Sequence, residues 1–264
     1  MPITIPPAAN PEISLVIPCY NEAGNLRELI KAIRDSVDPL NLPYEVVITD
    51  DCSKDQSWAI LKELAAADPR IRVQKFTFNC GESAASFAGL KAARGKFLFT
   101  LDADLQNDPA DLPKFLAALK NFDCVCGTRV RVRGQGDHFI RVASSRIANA
   151  VRNKLSGEQI SDAGCTYRAF KRECVENLKF FKGMHRFLPT LLKMRGYRVT
   201  QVPVSHHPRR AGKTKYDTWR RLKKGLADVW AVRWMKKNWI VYEGVVEVVD
   251  APAANLKRQE TGKV

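Results

Sequence analysis

Asp102 and Asp104 stand two residues apart at the end of a largely apolar run, residues 97–101. That run, Phe-Leu-Phe-Thr-Leu, has the length and aromatic content of a strand buried on both faces of a parallel sheet. On an extended chain, side chains two apart point the same way, with α-carbons about 6.6 Å apart. Carboxylates so placed repel each other unless a cation or a hydrogen-bond donor lies between them. Oxygen ligands at the carboxyl end of a buried strand suit Mg²⁺ or Mn²⁺, which keep positions open for substrate phosphates. Gln106 and Asp108 add oxygens nearby, and Pro109 fits the first position of a helix. A surface turn is the competing reading, since Asp-x-Asp is common in loops. The preceding strand favours the metal, because open α/β sheets bind ligands at strand carboxyl ends.

The elements that would position these acids alternate along the chain. Strands are expected at 13–17, 44–49, 71–77, 97–101 and 122–127. Helices follow: one capped by Asn21 or Asn25, then 53–67, a small-residue helix at 83–94, and 109–119. This pattern predicts an α/β fold of right-handed βαβ units with a mixed, mostly parallel sheet flanked by helices. The second strand also ends in paired acids, Asp50 and Asp51. No G-x-G-x-x-G follows the first strand and no Walker A loop is present, which argues against dinucleotide-binding Rossmann and P-loop chemistry. Carboxylates at strand ends instead suit hydroxyls and base amines, so the sheet fits a nucleotide held by ribose and base.

After Gly127 the chain turns basic. A glycine-punctuated loop at 128–137 leads to an expected helix at 139–155 carrying Arg141, Ser144, Ser145 and Arg146. A polar loop at 161–168 enters a short strand, then helices near 172–177 and 185–194 and a strand at 197–204 are expected. His206 and His207 read as loop residues rather than ligands. In the last helix, 218–237, Trp219, Leu222, Leu226, Val229, Trp230 and Trp234 fall within an arc of about 140°. Such a stripe either packs on the core or, interleaved with Arg220, Arg221, Lys223 and Lys224, lies in a bilayer interface. The expected organisation is a loose arm at 1–12, a catalytic domain at 13–217, a basic, Trp-rich amphipathic helix at 218–240 and an extended tail at 241–264.

The totals bound the function. With 264 residues, 45% of them hydrophobic, the chain can bury a full core. Its seven cysteines show no C-x-x-C spacing, which reads as reduced thiols rather than a disulfide framework or zinc site. No signal peptide opens the chain, and no apolar run approaches the roughly 20 residues of a membrane span. A net charge of +15 implies an anionic partner: nucleic acid, phosphorylated substrate or acidic lipid.

Five motifs in order carry a resemblance: Pro18-Cys-Tyr-Asn-Glu22, Asp50-Asp-Cys-Ser-Lys-Asp55, Asn79-Cys-Gly81, Asp102-Ala-Asp-Leu-Gln106 and Gly127-Thr-Arg129. Together they resemble the family-2 glycosyltransferases of the GT-A fold, over roughly residues 12–235. Arg141 with Ser145, Asp162-Ala-Gly-Cys-Thr-Tyr-Arg168 and Arg210-Ala-Gly-Lys-Thr-Lys-Tyr216 resemble the polyprenyl-phosphate subgroup, typified by dolichyl-phosphate mannose synthase. The resemblance implies inverting transfer of a sugar from a nucleoside-diphosphate sugar to a polyprenyl phosphate. It implies that Pro18, Tyr20 and Glu22 cradle base and ribose, and that Asp50 or Asp51 recognises the base. Asp102 would face ribose and metal, with Asp104 and Gln106 ligating Mg²⁺ or Mn²⁺. Arg129, Arg141 and Ser145 would hold the acceptor phosphate, and Arg210 with Lys213 or Lys215 would close over the phosphates. Cys52 stands where glycine is usual, so that turn is expected to avoid positive φ. Many relatives carry two or four membrane helices after the catalytic domain. Here the expectation is a peripheral enzyme at the cytoplasmic face of the membrane, held by an anionic surface.

Other readings stay open at this stage. A transferase acting on a saccharide or protein hydroxyl would need a carboxylate base, with Asp162 the candidate. A nucleic-acid-binding module would explain the charge, but no binding motif is present and acids line the presumed ligand edge. A non-catalytic membrane adaptor would rest on the terminal helix alone.

Overall fold

The computed structural model describes residues 10–129, 160–162, 164–176, 178, 181–207 and 218–238, with side chains of the last helix from Asp228 onward. Seven strands form one sheet: β1 Ile13–Cys19, β2 Tyr44–Asp50, β3 Ile71–Lys75, β4 Phe97–Thr100, β5 Cys124–Thr128, β6 Arg168–Lys171 and β7 Val199–Pro203. Their order is β3-β2-β1-β4-β6-β5-β7. Only β6 runs against its neighbours, β4 and β5; the other pairs are parallel. The helices are α1 Leu26–Val37, α2 Ser57–Ala67, α3 Glu82–Ala92, α4 Leu112–Leu119, α5 Glu173–Glu176, α6 Leu188–Met194 and α7 Thr218–Lys237.

Both faces of the sheet are covered, as continuous apolar strands require. Ile13, Leu15 and Ile17 of β1 enter one buried cluster, and Val16 enters the other with Val47 and Leu98. Helix α1 lays Leu26, Leu29, Ile30, Ile33 and Val37 on the first cluster at helical spacing. Helix α3 is built of small residues because it lies close to β1. A Cβ on Gly89 would sit 2.5 Å from Val16 Cγ1.

Element ends moved where side chains intervened. Strand β1 continues to Cys19 because Pro18 and Cys19 pair with Thr49 and Asp50. Helix α2 begins at Ser57, whose N–H donates to Asp55 Oδ1 at 2.9 Å. Asn25 occupies the N-cap position of α1 without capping it; its amide donates to Glu22 Oε2 at 2.7 Å. The arc expected on α7 is split. Val229 and Val232 are buried, whereas Trp230 and Trp234 are 62% and 66% exposed. The buried face therefore lies between the two valines, and the tryptophan edge does not pack on the core. The expected helix at 139–155 lies outside the described residues, as do Arg141, Ser145, Arg210, Lys213 and Lys215.

Asp123 ties the far half of the sheet together. It accepts from Lys171 Nζ at 2.7 Å and from the Arg198 backbone at 2.9 Å, joining the starts of β5 and β7 to the end of β6. Burial alone would raise its pKa, but the hydrogen bonds from Arg198 and Lys171 outweigh it and hold the carboxyl at about 2. A depressed carboxyl pKa contributes stability that is complete above the unfolded value near 4 and is lost as pH falls through the folded value. Asp123→Asn is therefore expected to cost up to about 2 kcal/mol at neutral pH. Urea midpoints should also show a flatter loss of stability between pH 4 and 2 than in the wild type.

Candidate active site

Strand order reverses between β1 and β4, which opens a crevice at their carboxyl ends. Pro18 to Glu22 leave β1 on one side of it, and Asp102 to Gln106 leave β4 on the other. Asp104 is buried and accepts from the Gln106 backbone at 3.2 Å, and Leu105 between them takes a left-handed φ of 62°. The sheet's antiparallel strand reaches the same point. The Thr166 hydroxyl donates to Asp102 Oδ2, Asn107 Nδ2 donates to Thr166 Oγ1 at 3.4 Å, and Thr100 Oγ1 donates to the Thr166 carbonyl at 2.6 Å. After β7 the chain closes over this loop. His206 bridges Asn107, the His207 N–H donates to the Gln106 carbonyl at 3.1 Å, and His207 Nε2 lies 3.0 Å from Asp108 Oδ2.

Asp102 is strongly perturbed. Burial, then the charges of Glu82 and Asp104, push it up to about 7 against the opposing effects of Thr166 and Arg129. An all-oxygen donor set carrying uncompensated negative charge fits a hard divalent cation. Among the described residues no three His, Cys, Asp or Glu side chains converge as a complete metal cage. Such a cation would thus rely on Asp102, Asp104 and Gln106 with oxygens from substrate and water, the usual habit of Mg²⁺ beside phosphates.

The acids after β2 divide their work. Asp51 accepts from Cys80 N at 2.7 Å, Asn79 Nδ2 at 2.8 Å and Gly81 N at 2.9 Å, so it holds the loop leading into α3. Burial still raises its pKa. Asp50 is wholly buried, receives Ser53 N at 3.2 Å, and keeps Oδ1 without a hydrogen bond. Ser57 Oγ accepts from the Glu22 backbone at 2.9 Å and Ser53 Oγ from that of Asn21 at 2.8 Å, which joins the turns after β1 and β2. Pro18, Tyr20 and Glu22 are all partly exposed along that rim. Cys52 corrects the sequence expectation, for its φ is 60°. The turn is fixed on both sides, by Asp51 N donating to the Cys19 carbonyl at 2.8 Å and by Ser53 N on Asp50, so the residue between them accepts the left-handed geometry despite its Cβ.

Arg129 is not displayed as a free cation. Its Nε and Nη2 donate to the two carboxylate oxygens of Asp162 at 2.7 and 3.0 Å, and both residues are buried. Asp162, expected as a base only under the hydroxyl-acceptor reading, thereby has both oxygens engaged. Two residues acting on Asp102, Thr166 and Glu82, carried no role in the sequence reading, nor did His185 beside Glu82. Thr166 lies inside the polar 161–168 loop, but nothing local marks it, since its partner Asp102 is 64 positions away.

The sheet order, the acids at its carboxyl edge and the motif series define a glycosyltransferase architecture. The family model of glycosyl transferase family 2 matches residues 14–179. The chain belongs to that family, and its fold is GT-A. It is 36% identical over 211 residues to an undecaprenyl-phosphate 4-deoxy-4-formamido-L-arabinose transferase of Pseudomonas fluorescens, covering 79% of this chain and 61% of the relative. The transferase of that name from Edwardsiella ictaluri is 35% identical over 206 residues, 77% of this chain and 62% of the relative. The chain thus spans about three fifths of the length of these curated relatives. Among solved structures, glucosyl-3-phosphoglycerate synthase from Mycobacterium tuberculosis, with Mn²⁺, UDP and phosphoglyceric acid, superposes with a TM-score of 0.62 at 20% identity, covering 85% of this chain and 79% of that one. A mannosyltransferase from Pyrobaculum calidifontis with GDP-Man and Mn²⁺ gives 0.57 at 21%, over 88% and 72%.

A left-handed non-glycine residue costs about 1 kcal/mol. Cys52→Gly should therefore raise stability by roughly 0.5–1 kcal/mol, read from the urea midpoint, and β-branched Cys52→Val should lower it.

Proposed function

We propose that the chain is an inverting, metal-dependent glycosyltransferase that moves a sugar from a nucleoside diphosphate to a polyprenyl phosphate at a membrane surface. The observation that carries the reading is the asymmetry of the site. Carboxylates are concentrated on the donor side, at Asp102 and Asp104, while Asp162 is neutralised by Arg129. A phosphate acceptor is already ionised at neutral pH and needs no strong base. A hydroxyl acceptor does need one, and both oxygens of Asp162 are already engaged by the Arg129 guanidinium. The names of the relatives, undecaprenyl-phosphate sugar transferases, point to the same acceptor class.

In this reading Asp102, Asp104 and Gln106 hold Mg²⁺ or Mn²⁺, which when bound supplies positive charge to the leaving diphosphate. Thr166 orients the Asp102 carboxylate by its hydroxyl. Pro18, Tyr20 and Glu22 line the nucleotide side, and Asp51 shapes the base pocket by fixing the 79–81 loop. Asp50 contributes a buried acceptor behind that pocket. Arg129, aligned by Asp162, adds positive charge near Asp102, and Arg141, Ser145, Arg210, Lys213 and Lys215 take the acceptor and diphosphate roles. The acceptor phosphate attacks the anomeric carbon in line, with inversion. Stabilising charge on the departing diphosphate is where such a site gains most of its rate.

The surface role falls to α7. No described helix is long and apolar enough to cross a membrane. Trp230 and Trp234 are exposed beside Arg233, Lys236 and Lys237, a mixture suited to the headgroup region at the cytoplasmic face. Each cation near an anionic surface contributes about 1 kcal/mol, which salt screens.

Two measurements test this. Asp104→Asn should abolish Mn²⁺-dependent nucleotide-sugar turnover while leaving the circular dichroism spectrum intact; full activity in the variant would overturn the metal assignment. In flotation with anionic liposomes at low salt, wild type should rise with the vesicles and Trp230→Ala/Trp234→Ala should remain below. Equal behaviour of the two proteins would remove α7 from membrane attachment.

A further inference from the structure

We infer that Glu82, oriented by His185, reads the sugar of the nucleotide-sugar donor; this rests on the glycosyltransferase reading above. Glu82 opens helix α3 directly after Gly81, whose N–H is pinned by Asp51, so its backbone position is fixed from the base side of the site. Its carboxylate is 40% exposed, and Oε1 lies 3.7 Å from His185 Nε2. The imidazole is held from its other side by Ser83 Oγ, 2.6 Å from Nδ1. Ser83 Oγ already accepts the Gly183 N–H at 2.9 Å. The Ser83 hydroxyl keeps its proton and one lone pair for Nδ1; where it donates there, Nε2 is the protonated nitrogen facing Glu82. The His185 carbonyl accepts from Arg168 of β6, the strand whose Thr100 pairing leads to Asp102. Glu82 and its imidazole are therefore anchored from α3 and from β6.

The chemistry narrows what Glu82 can bind. A carboxylate repels a diphosphate, so it does not serve the phosphates. Asp102, Asp104 and Gln106 account for the metal without it, and Pro18, Tyr20 and the 79–81 loop account for the nucleoside. Its negative charge nevertheless acts on Asp102, ranking just behind burial in raising that group. What remains at this position is the sugar, whose hydroxyl or amide N–H groups donate to a carboxylate. In the tautomer where Ser83 donates to Nδ1, His185 Nε2–H offers a donor beside it, so the pair presents one acceptor and one donor to adjacent ring substituents.

The test separates sugar from nucleotide. With Mn²⁺ present, calorimetry measures UDP, GDP, UDP-glucose, UDP-N-acetylglucosamine and GDP-mannose against wild type, Glu82→Ala, Glu82→Gln and His185→Gln. A hydrogen bond to a charged group corresponds to about ten- to hundredfold in affinity. Glu82→Ala should therefore weaken the best-bound nucleotide sugar at least tenfold and leave the matching sugar-free diphosphate within about twofold. Glu82→Gln, which keeps an acceptor oxygen, should recover most of the loss, and His185→Gln should fall between. Equal weakening of sugar-bearing and sugar-free ligands would make Glu82 a structural residue, and no change in either would remove it from the site. Donor affinity intact in Glu82→Gln with turnover abolished would assign it to a base instead and overturn the inference. Failure of wild type to bind any of these ligands would sink the glycosyltransferase reading first.

Discussion

Negative charge brought together at one strand end is the constraint around which this molecule is arranged. Asp102 sits partly buried between the charges of Asp104 and Glu82, and its pKa of about 7 measures how unwelcome its own charge is there. The rest of the edge answers that repulsion. Thr166 donates a hydroxyl, Arg129 supplies a nearby cation, and Asp104 spends an oxygen on the turn that follows it. An edge left in this state is complementary to a divalent cation and poorly suited to an anion arriving alone. The antiparallel strand β6 has a place in an otherwise parallel sheet for the same reason: it begins at the carboxyl end of β4 and runs away from it, which puts Thr166 and Arg168 at the site.

A second arrangement follows from the first. Acids elsewhere near the cleft are tied up. Asp51 has both oxygens committed to the 79–81 loop, Asp162 has both committed to Arg129, and Asp108 faces His207. Each commitment also joins segments far apart in the chain, so the charge balance and the shape of the cleft are set by the same contacts.

The sheet and the paired acids were legible because strand burial and the two-residue spacing are local signals. The partners of those acids were not. Thr166 lies 64 positions from Asp102 and His185 lies 102 from Ser83, separations that no periodicity records. Cys52 misled for a related reason: its residue type argues against positive φ, but the hydrogen bonds that impose it come from Cys19 and Asp50 on the flanking strands. On α7 the wheel correctly placed Val229 on an apolar arc, yet the buried face includes Val232 and leaves Trp230 and Trp234 outside. A helical wheel gives the angular spread of apolar residues; the neighbour that covers part of it is a tertiary fact.

Gly183 carries a mechanical consequence. Its φ is 95°, and a Cβ there would stand 2.8 Å from Asp228 Oδ2 on α7. The turn bearing His185 thus meets the helix bearing Trp230 and Trp234 through the Asp228 carboxylate, which Arg186 of the same turn approaches at 3.9 Å. Any residue larger than glycine at 183 would have to push that carboxylate aside, so the missing side chain is what lets the 183–186 turn and α7 sit in register.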